Sequence, residues 1–366
     1  MIIAIADDIT GAAEIAGVAL RHGRSVTFSV NSISTDTHAD VNIVATDTRS
    51  VAPSEADDTC RHLCRTAMGL SPQSLLFKKV DSVLRGNVSE ELSAILHVTP
   101  YNRVLLLPQN PTRGRTISGG IYYINNVELC KTAFADDPEF PARTSVVGQL
   151  LSSCPSVVSI ADATTVGEIC HLVAQAPGDT LVAGGADTFS AFLLAHPSPS
   201  AAHAEAPYTP NLSTENLTVP LLAIQGSTQS HSLIATPFFR HIGGRDITMP
   251  DDVFHGSSPR PWLCRLKEEW RNTPALALRI GTHEAMGAHY AIRLRQLMAL
   301  ATADLVGEKQ PSSLIFEGGA TAFAALSALG WEQFDAEGEL APGVVALRHG
   351  QTLVILKPGS YKWNME

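Results

Sequence analysis

Met1-Ile-Ile-Ala-Ile-Ala-Asp-Asp-Ile-Thr-Gly-Ala-Ala-Glu-Ile-Ala-Gly17 opens the chain and carries the reading of its fold class. Ile2 to Ala6 is a short apolar run without charge, as expected of a strand buried on both faces of a parallel sheet. Asp7 and Asp8 follow, then Thr10, Gly11 and an Ala-rich segment that reads as helix. Two carboxylates at the C-terminal end of a buried strand lie where open α/β sheets bind ligands. Neighbouring carboxylates resist ionising together, so one can be tuned toward base work or the two can hold a cation. The plainer alternative is a solvated turn in which Asp caps the helix.

Outward from this stretch the alternation continues. Val26–Val30, Val41–Ala45, Leu75–Phe77, Val104–Leu107, Val157–Ile160 and Leu181–Ala183 read as strands. Pro53–Met68, Val88–Leu96, Thr144–Ser153, Thr165–Ala174 and Asp187–Ala195 read as helices between them. Ile121–Leu129 interrupts the pattern as a β-hairpin turning at Asn125-Asn126. Residues 197–217 are rich in Pro, Ser and Ala without apolar periodicity, which marks a connection between domains. Beyond it, Val219–Ile224, Ala275–Ile280, Leu314–Phe316, Gly343–Leu347 and Gln351–Leu356 read as strands, with helices at Ser230–His241, His283–Ala301 and Ala320–Leu329. The expectation is an α/β chain of two domains, residues 1–205 and 218–366 joined by a linker at 206–217. Each has a mostly parallel sheet flanked by helices, and the active site lies in the interdomain cleft.

With 366 residues, each half is long enough to bury its own core. A net charge of −10 argues against a general nucleic-acid or anionic-membrane partner. No stretch approaches the roughly 20 apolar residues that span a bilayer, and the N-terminus has no basic n-region or signal-type apolar core. The six scattered cysteines show no CxxC spacing and read as reduced thiols of a cytoplasmic protein. His283-Glu284 with His289 lacks the spacing that puts two metal ligands on one helical face. Neither a P-loop, a GxGxxG turn nor a GxSxG elbow is present. Association into a homo-oligomer stays open.

Further polar segments follow buried strands. Lys78-Lys-Val-Asp-Ser-Val-Leu-Arg-Gly-Asn87 offers donors and acceptors for a polyhydroxy anion. Arg85 there could grip a carboxylate with its two-pronged guanidinium, and Asp81 could accept from hydroxyls. Gly114-Arg115-Thr116 suits an anion-binding turn. In the second half, Glu317-Gly-Gly-Ala-Thr-Ala322 joins a strand to a helix, where two glycines let backbone approach a phosphate. Gln225-Gly-Ser-Thr-Gln-Ser230 repeats that logic, and Lys357-Pro-Gly-Ser360 could close the pocket.

Asp7-Asp8-Ile-Thr-Gly-Ala12, Lys79-Val-Asp-Ser-Val-Leu-Arg-Gly-Asn87, Gly114-Arg115-Thr116, Gly318-Gly319 with Thr321, Pro342-Gly343 and Lys357-Pro-Gly359 occur in this order. Together they resemble the four-carbon acid sugar kinase family along nearly the whole chain. The resemblance implies an N-terminal acid-sugar-binding domain and a C-terminal ATP-binding domain. It also implies transfer of the γ-phosphoryl group to the terminal hydroxyl of threonate, erythronate or a 3-oxo-tetronate, with ATP and Mg²⁺ as cofactors. Nucleotide contacts would fall at Ser227, at Gly318, Gly319, Ala320, Thr321 and Ala322, and at Gly359. Asp7, Lys79, Ser82, Arg85, Asn87 and Arg115 would bind the acid sugar. Asp8 or Asp81 would orient or deprotonate the attacking hydroxyl. Gly318-Gly-Ala-Thr-Ala322 stands where the family usually has Gly-Gly-Glu-Thr-Ser, so a carboxylate and a hydroxyl are replaced by alanines. That departure keeps a non-catalytic acid-sugar or nucleotide sensor in view as the second reading.

Overall fold

The structure is a computed structural model that describes residues 1–35, 38–137, 139–151, 153–198, 212–226, 232–281, 288–359 and 363. Two compact units divide the chain, Met1–Pro207 and Tyr208–Glu366. Among the described residues, no helix is long and apolar enough to cross a membrane.

In the first unit the order is β1 (Ile2–Ala6), α1 (Ile9–Arg21), β2 (Val26–Val30), β3 (Val41–Ala45), α2 (Pro53–Leu70), β4 (Leu75–Lys79), α3 (Val88–Val98) and β5 (Arg103–Leu107). Then come β6 (Arg115–Ser118), β7 (Ile121–Ile124), β8 (Val127–Glu128), α4 (Val147–Leu150), β9 (Val158–Ile160), α5 (Val166–Ala174), β10 (Thr180–Gly184) and α6 (Ala186–Ala195). The main sheet runs β2-β3-β1-β4-β10-β5-β9 with every pairing parallel. Ile3 and Ile5 of β1 meet Leu63 and Cys64 of α2 and Leu92 and Ile95 of α3 on one face. On the other, Phe77 of β4 packs on Phe189 and Phe192 of α6, with ring centroids 4.8 and 5.4 Å away.

The small sheet β6-β7-β8 contains the expected hairpin, and its Asn125-Asn126 turn has both φ angles positive, 49° and 65°. Asn tolerates that left-handed backbone, which matches the twist of the flanking strands. β6 was not expected, because its Pro- and Gly-rich approach reads as a loop. It forms because Ile117 is buried and Arg115–Ser118 pairs antiparallel with Ile121–Ile124. The helix expected over Thr144–Ser153 shrinks to Val147–Leu150. Its first residues are drawn to the small sheet instead: Tyr122 N–H donates to the Ser145 carbonyl at 2.8 Å, and Val146 bridges Ile121.

In the second unit come β11 (Leu221–Gln225), α7 (Pro237–His241), β12 (Arg245–Thr248), α8 (Asp251–His255), α9 (Arg260–Asn272), β13 (Ala275–Arg279), α10 (Ala288–Glu308), β14 (Ser313–Glu317), α11 (Gly319–Leu329), β15 (Gln333–Ala341), β16 (Val344–His349) and β17 (Thr352–Lys357). Its strands run β12-β13-β11-β14-β17-β16-β15, parallel up to β17 and antiparallel beyond. The helix expected from Ser230 begins outside the described residues, and Thr236 caps a separate short helix at Pro237. The start of the helix expected from His283 is likewise outside them. β12, α8, α9 and β15 escaped the sequence reading. α9 buries just Trp262, Leu266 and Trp270 along a polar helix, and β15 carries two register shifts that break its alternation. Of the expected linker, residues 206–211 lie outside the described residues, Ser213 caps a short turn at Thr214–Asn216, and Leu217 is buried.

The two-residue period of β4 sends its consecutive lysines to opposite faces of the sheet. Lys78 reaches Glu91 of α3 at 3.0 Å, with both side chains 1% exposed or less. Burial would lower the Lys78 ammonium, but Glu91, Cys60 and Asp7 together raise it above its ordinary range. Glu91→Ala should therefore destabilise by about 3–5 kcal/mol in urea denaturation, because it leaves a buried charge unpaired. The double variant Lys78→Met/Glu91→Leu should lie much closer to wild type. Equal losses in the single and double variants would show that the pair is not what makes Glu91 matter.

Candidate functional site

α1 leaves β1 toward β2, while α3 leaves β4 toward β5, so the chain diverges between the neighbouring strands β1 and β4. The C-terminal ends of strands flanking such a divergence form a binding crevice. β1 delivers Asp7 and Asp8 there, β3 delivers Thr46–Arg49, and β4 delivers Lys79–Ser82. Asp8 is extended (φ −145°) and caps α1, accepting from Gly11 N–H at 2.9 Å and from the Thr10 hydroxyl. Gly11 is required by space, since a Cβ would lie 2.6 Å from Asp8 Oδ1 and 3.1 Å from Lys79 Nζ.

Arg49 organises the cluster. Its Nε donates to Asp7 Oδ2 at 2.7 Å, Nη2 lies 2.9 Å from Asp8 Oδ1, and Nη1 lies 3.7 Å from Asp81 Oδ1. The counter-ion of the aspartate pair in this structure is a guanidinium. Burial would raise the Asp8 carboxyl, but Arg49, then Lys79 and the Thr10 and Gly11 bonds, keep it below its ordinary value. Arg49 sits in a tight turn, Thr48–Ser50, after Asp47 in left-handed backbone (φ 51°). Asn87 Nδ2 holds that turn by donating to the Thr48 and Val51 carbonyls at 2.8 and 3.0 Å. Gly86 (φ 87°) makes room, because a Cβ there would meet Arg49 Cγ at 2.9 Å. Sequence reading passed over Arg49, although Thr46-Asp-Thr-Arg-Ser50 is another polar segment at the end of a buried strand.

The structure gives several expected substrate residues internal partners. Asp7 is 2% exposed and is spent on Arg49. Asn87 holds backbone. The Arg85 fork, expected to grip a substrate carboxylate, is closed on Asp81, with Nε and Nη2 donating at 3.0 and 2.9 Å, and Nη1 reaches Asp137 at 3.2 Å. Asp81 also accepts from Val83 and Arg85 N–H. Burial would raise its carboxyl, yet Arg49 and the Arg85 bonds hold it far below the ordinary carboxylate range. Lys79 is 3% exposed, donates to the Val80 carbonyl at 3.0 Å and lies 3.6 Å from Glu14. Arg115, half-buried at the start of β6, donates to the Ser82 hydroxyl and lies over the Phe134 ring, which Arg85 also faces. No carboxylate among the described residues pairs with Arg115.

In the second unit, β14 runs into α11 through Gly318 at φ 128°. Gly318 at the N-cap of α11 has no side chain to cap the helix, and a helix N-terminus favours an anion. Gly318 packs on Gly226, and Gly226 on Thr321, where added Cβ atoms would come within 3.2 and 2.1 Å. Ala320 is exposed, whereas Thr321 and Ala322 are buried at 6% and 1%. A hydroxyl at position 322 would therefore be turned inward. Gly359 is half-buried just past β17, and Ser227 lies outside the described residues.

Arg49→Met offers a test of this charge balance. Because Asp8 and Asp81 are depressed in the folded state, their contribution to stability is present above the unfolded value, about pH 4, and is lost as pH falls through the lower folded values. Without the guanidinium the three carboxylates repel, so the variant should be less stable than wild type near neutral pH, and circular dichroism across an acid titration should show that deficit shrinking as the carboxylates protonate. Superimposable acid-unfolding curves would remove Arg49 as their shared counter-ion.

Residues 2–187 match the family model of a sugar-binding N-terminal domain, and residues 264–361 match that of a nucleotide-binding C-terminal domain. A D-erythronate kinase of Heliobacterium modesticaldum is 32% identical over 157 residues, 42% of this chain and 36% of that protein. A D-threonate kinase of Salmonella typhimurium is 30% identical over 152 residues, 41% of this chain and 36% of that protein. The match thus spans little more than a third of these relatives' length. Among solved structures, a Haemophilus influenzae protein superposes with a TM-score of 0.73 at 16% identity, covering 99% of this chain and 98% of that one, a likeness of fold. With the sugar-binding model taking in half of its residues and the nucleotide-binding model following in order, the chain belongs to the four-carbon acid sugar kinase family.

Proposed function

We propose that the chain is an ATP-dependent kinase that phosphorylates the terminal hydroxyl of a four-carbon acid sugar, threonate, erythronate or a 3-oxo-tetronate. The acid binds at the strand ends of the first unit and the nucleotide at the α11 turn of the second. The observation that carries this reading is the division of labour among the arginines: Arg49 and Arg85 are neutralised by aspartates, whereas Arg115 has none. Arg115 is therefore the residue we assign to the substrate carboxylate, in place of Arg85.

Asp8 is the best placed of the three aspartates to meet a hydroxyl, its side chain being 16% exposed against 3% for Asp7 and 8% for Asp81. Held below its ordinary value it is a weak base, so its part is to accept a hydrogen bond and aim the oxygen. Phosphoryl transfer depends mostly on such positioning and on charge neutralisation. Among the described residues no group of three or more His, Cys, Asp or Glu is placed to hold a metal, the site aspartates being shared on a guanidinium. The Mg²⁺ expected with ATP would ride on phosphate oxygens.

Incubation with ATP, Mg²⁺ and a panel of four-carbon acids should give products heavier by one phosphoryl group. A bound acid without any such product would instead favour a sensor. Arg115→Lys keeps the charge but not the fork, so kcat/KM for the acid should fall about 10- to 150-fold, as for loss of a charge-assisted bond, while the KM for ATP holds. Asp8→Asn should lower kcat by roughly 10²-fold, the scale of loss when a reacting group is no longer aimed. An Arg115→Lys enzyme that matches wild type on the acid would return the carboxylate to another residue.

A further inference from the structure

In the second unit, Glu317 ends β14 and Lys357 ends the neighbouring β17, in direct register, so their side chains leave the same face of the sheet. Glu317 is 3% exposed, and its Oε1 accepts from Leu233 N–H at 2.7 Å and from the Trp363 indole N–H at 2.5 Å. The Trp363 ring so anchored lies 5.6 Å from the Lys357 ammonium. Lys357 is 1% exposed, yet among the described residues its one hydrogen bond is a long one, 3.4 Å to the Pro358 carbonyl, and no carboxylate is in ion-pair contact with it. An ammonium has three donors, and burying it without strong acceptors is costly. Burial accordingly lowers its pKa, with Glu317 opposing.

The same strand end is tied to the glycine turn. Gly318 N–H donates to the Lys357 carbonyl at 3.0 Å, immediately before the start of α11. Among the described residues, a cation with unused donors and a helix N-terminus whose cap residue has no side chain thus stand on adjacent strand ends. Each favours an anion, and together they suit one with several oxygens. We propose that Lys357 is a phosphate-binding residue that takes the terminal phosphates of the nucleotide, with Trp363, pinned by Glu317, shielding the ammonium from water. The proposal rests on the kinase reading and deepens it by naming a charge at the phosphate turn, where Ala320 and Ala322 bring none.

Calorimetric titration of wild type, Lys357→Met and Lys357→Arg with ATP, ADP and AMP tests it. Lys357→Met should lose about 10-fold or more in ATP affinity, the loss expected of a missing charge-assisted bond, while AMP, which lacks the terminal phosphates, binds as in wild type. Lys357→Arg should recover part of the loss. Without nucleotide, Lys357→Met should melt no lower than wild type, since it removes a poorly partnered buried charge. Unchanged ATP affinity, or equal weakening of ATP and AMP, would overturn the phosphate role, and a lower melting temperature without nucleotide would mark the lysine as structural. A wild type that binds four-carbon acids but no adenine nucleotide would overturn the kinase reading together with this proposal. Tight ATP binding by both wild type and Lys357→Met would overturn the proposal alone.

Discussion

A single guanidinium shared by three carboxylates is the constraint around which the first unit's site is built. Asp7, Asp8 and Asp81 come from two adjacent strand ends, and without a counter-ion their mutual repulsion in a buried setting would oppose folding. Arg49 arrives from a third strand end and contacts all three. Its own placement depends on Asn87 holding the turn and on Gly86 giving way to it. The Asp-Asp and Arg-Gly-Asn segments, far apart in sequence, are thus two halves of one electrostatic unit.

Parallel pairing then decides which charged groups face one another. Lys78 turns to α3 and is sealed on Glu91, while Lys79 turns to α1 and joins Asp8 and Glu14. Thr48, beside Arg49, donates to Glu91, so the buried pair and the site share a wall. Arg85 closes on Asp81, and the small sheet brings Arg115 to Ser82. Arg49 and Arg85 are thus paired inside the cluster, whereas no carboxylate among the described residues pairs with Arg115.

The second unit handles charge differently. Its strand ends meet through glycines at van der Waals limits, Gly226 against Thr321 and Gly318 against Gly226, so backbone rather than side chains shapes the turn. Close backbone approach of this kind suits phosphate, for which N–H groups and one cation suffice. Thr321 and Ala322 serve that packing, and Ala320 faces outward.

Local pattern in the sequence determined the α/β class, most strand positions, the Asn125-Asn126 hairpin and the strand-end location of the Asp7-Asp8 and Lys79–Asn87 segments, because apolar runs and turn residues act over a few positions. β12, α9 and β15 were not legible, since few buried residues or register shifts blur the period. Residue roles within the site were decided by tertiary structure. A sequence shows that Arg85 carries a fork, but whether that fork is free depends on which carboxylate lies four residues away on the same turn. Arg49 gave no signal beyond a polar run, because its meaning comes from β3 lying beside β1 and β1 beside β4. Charge pairing is set by distances of a few ångströms between segments tens of residues apart, and strand order fixes those distances.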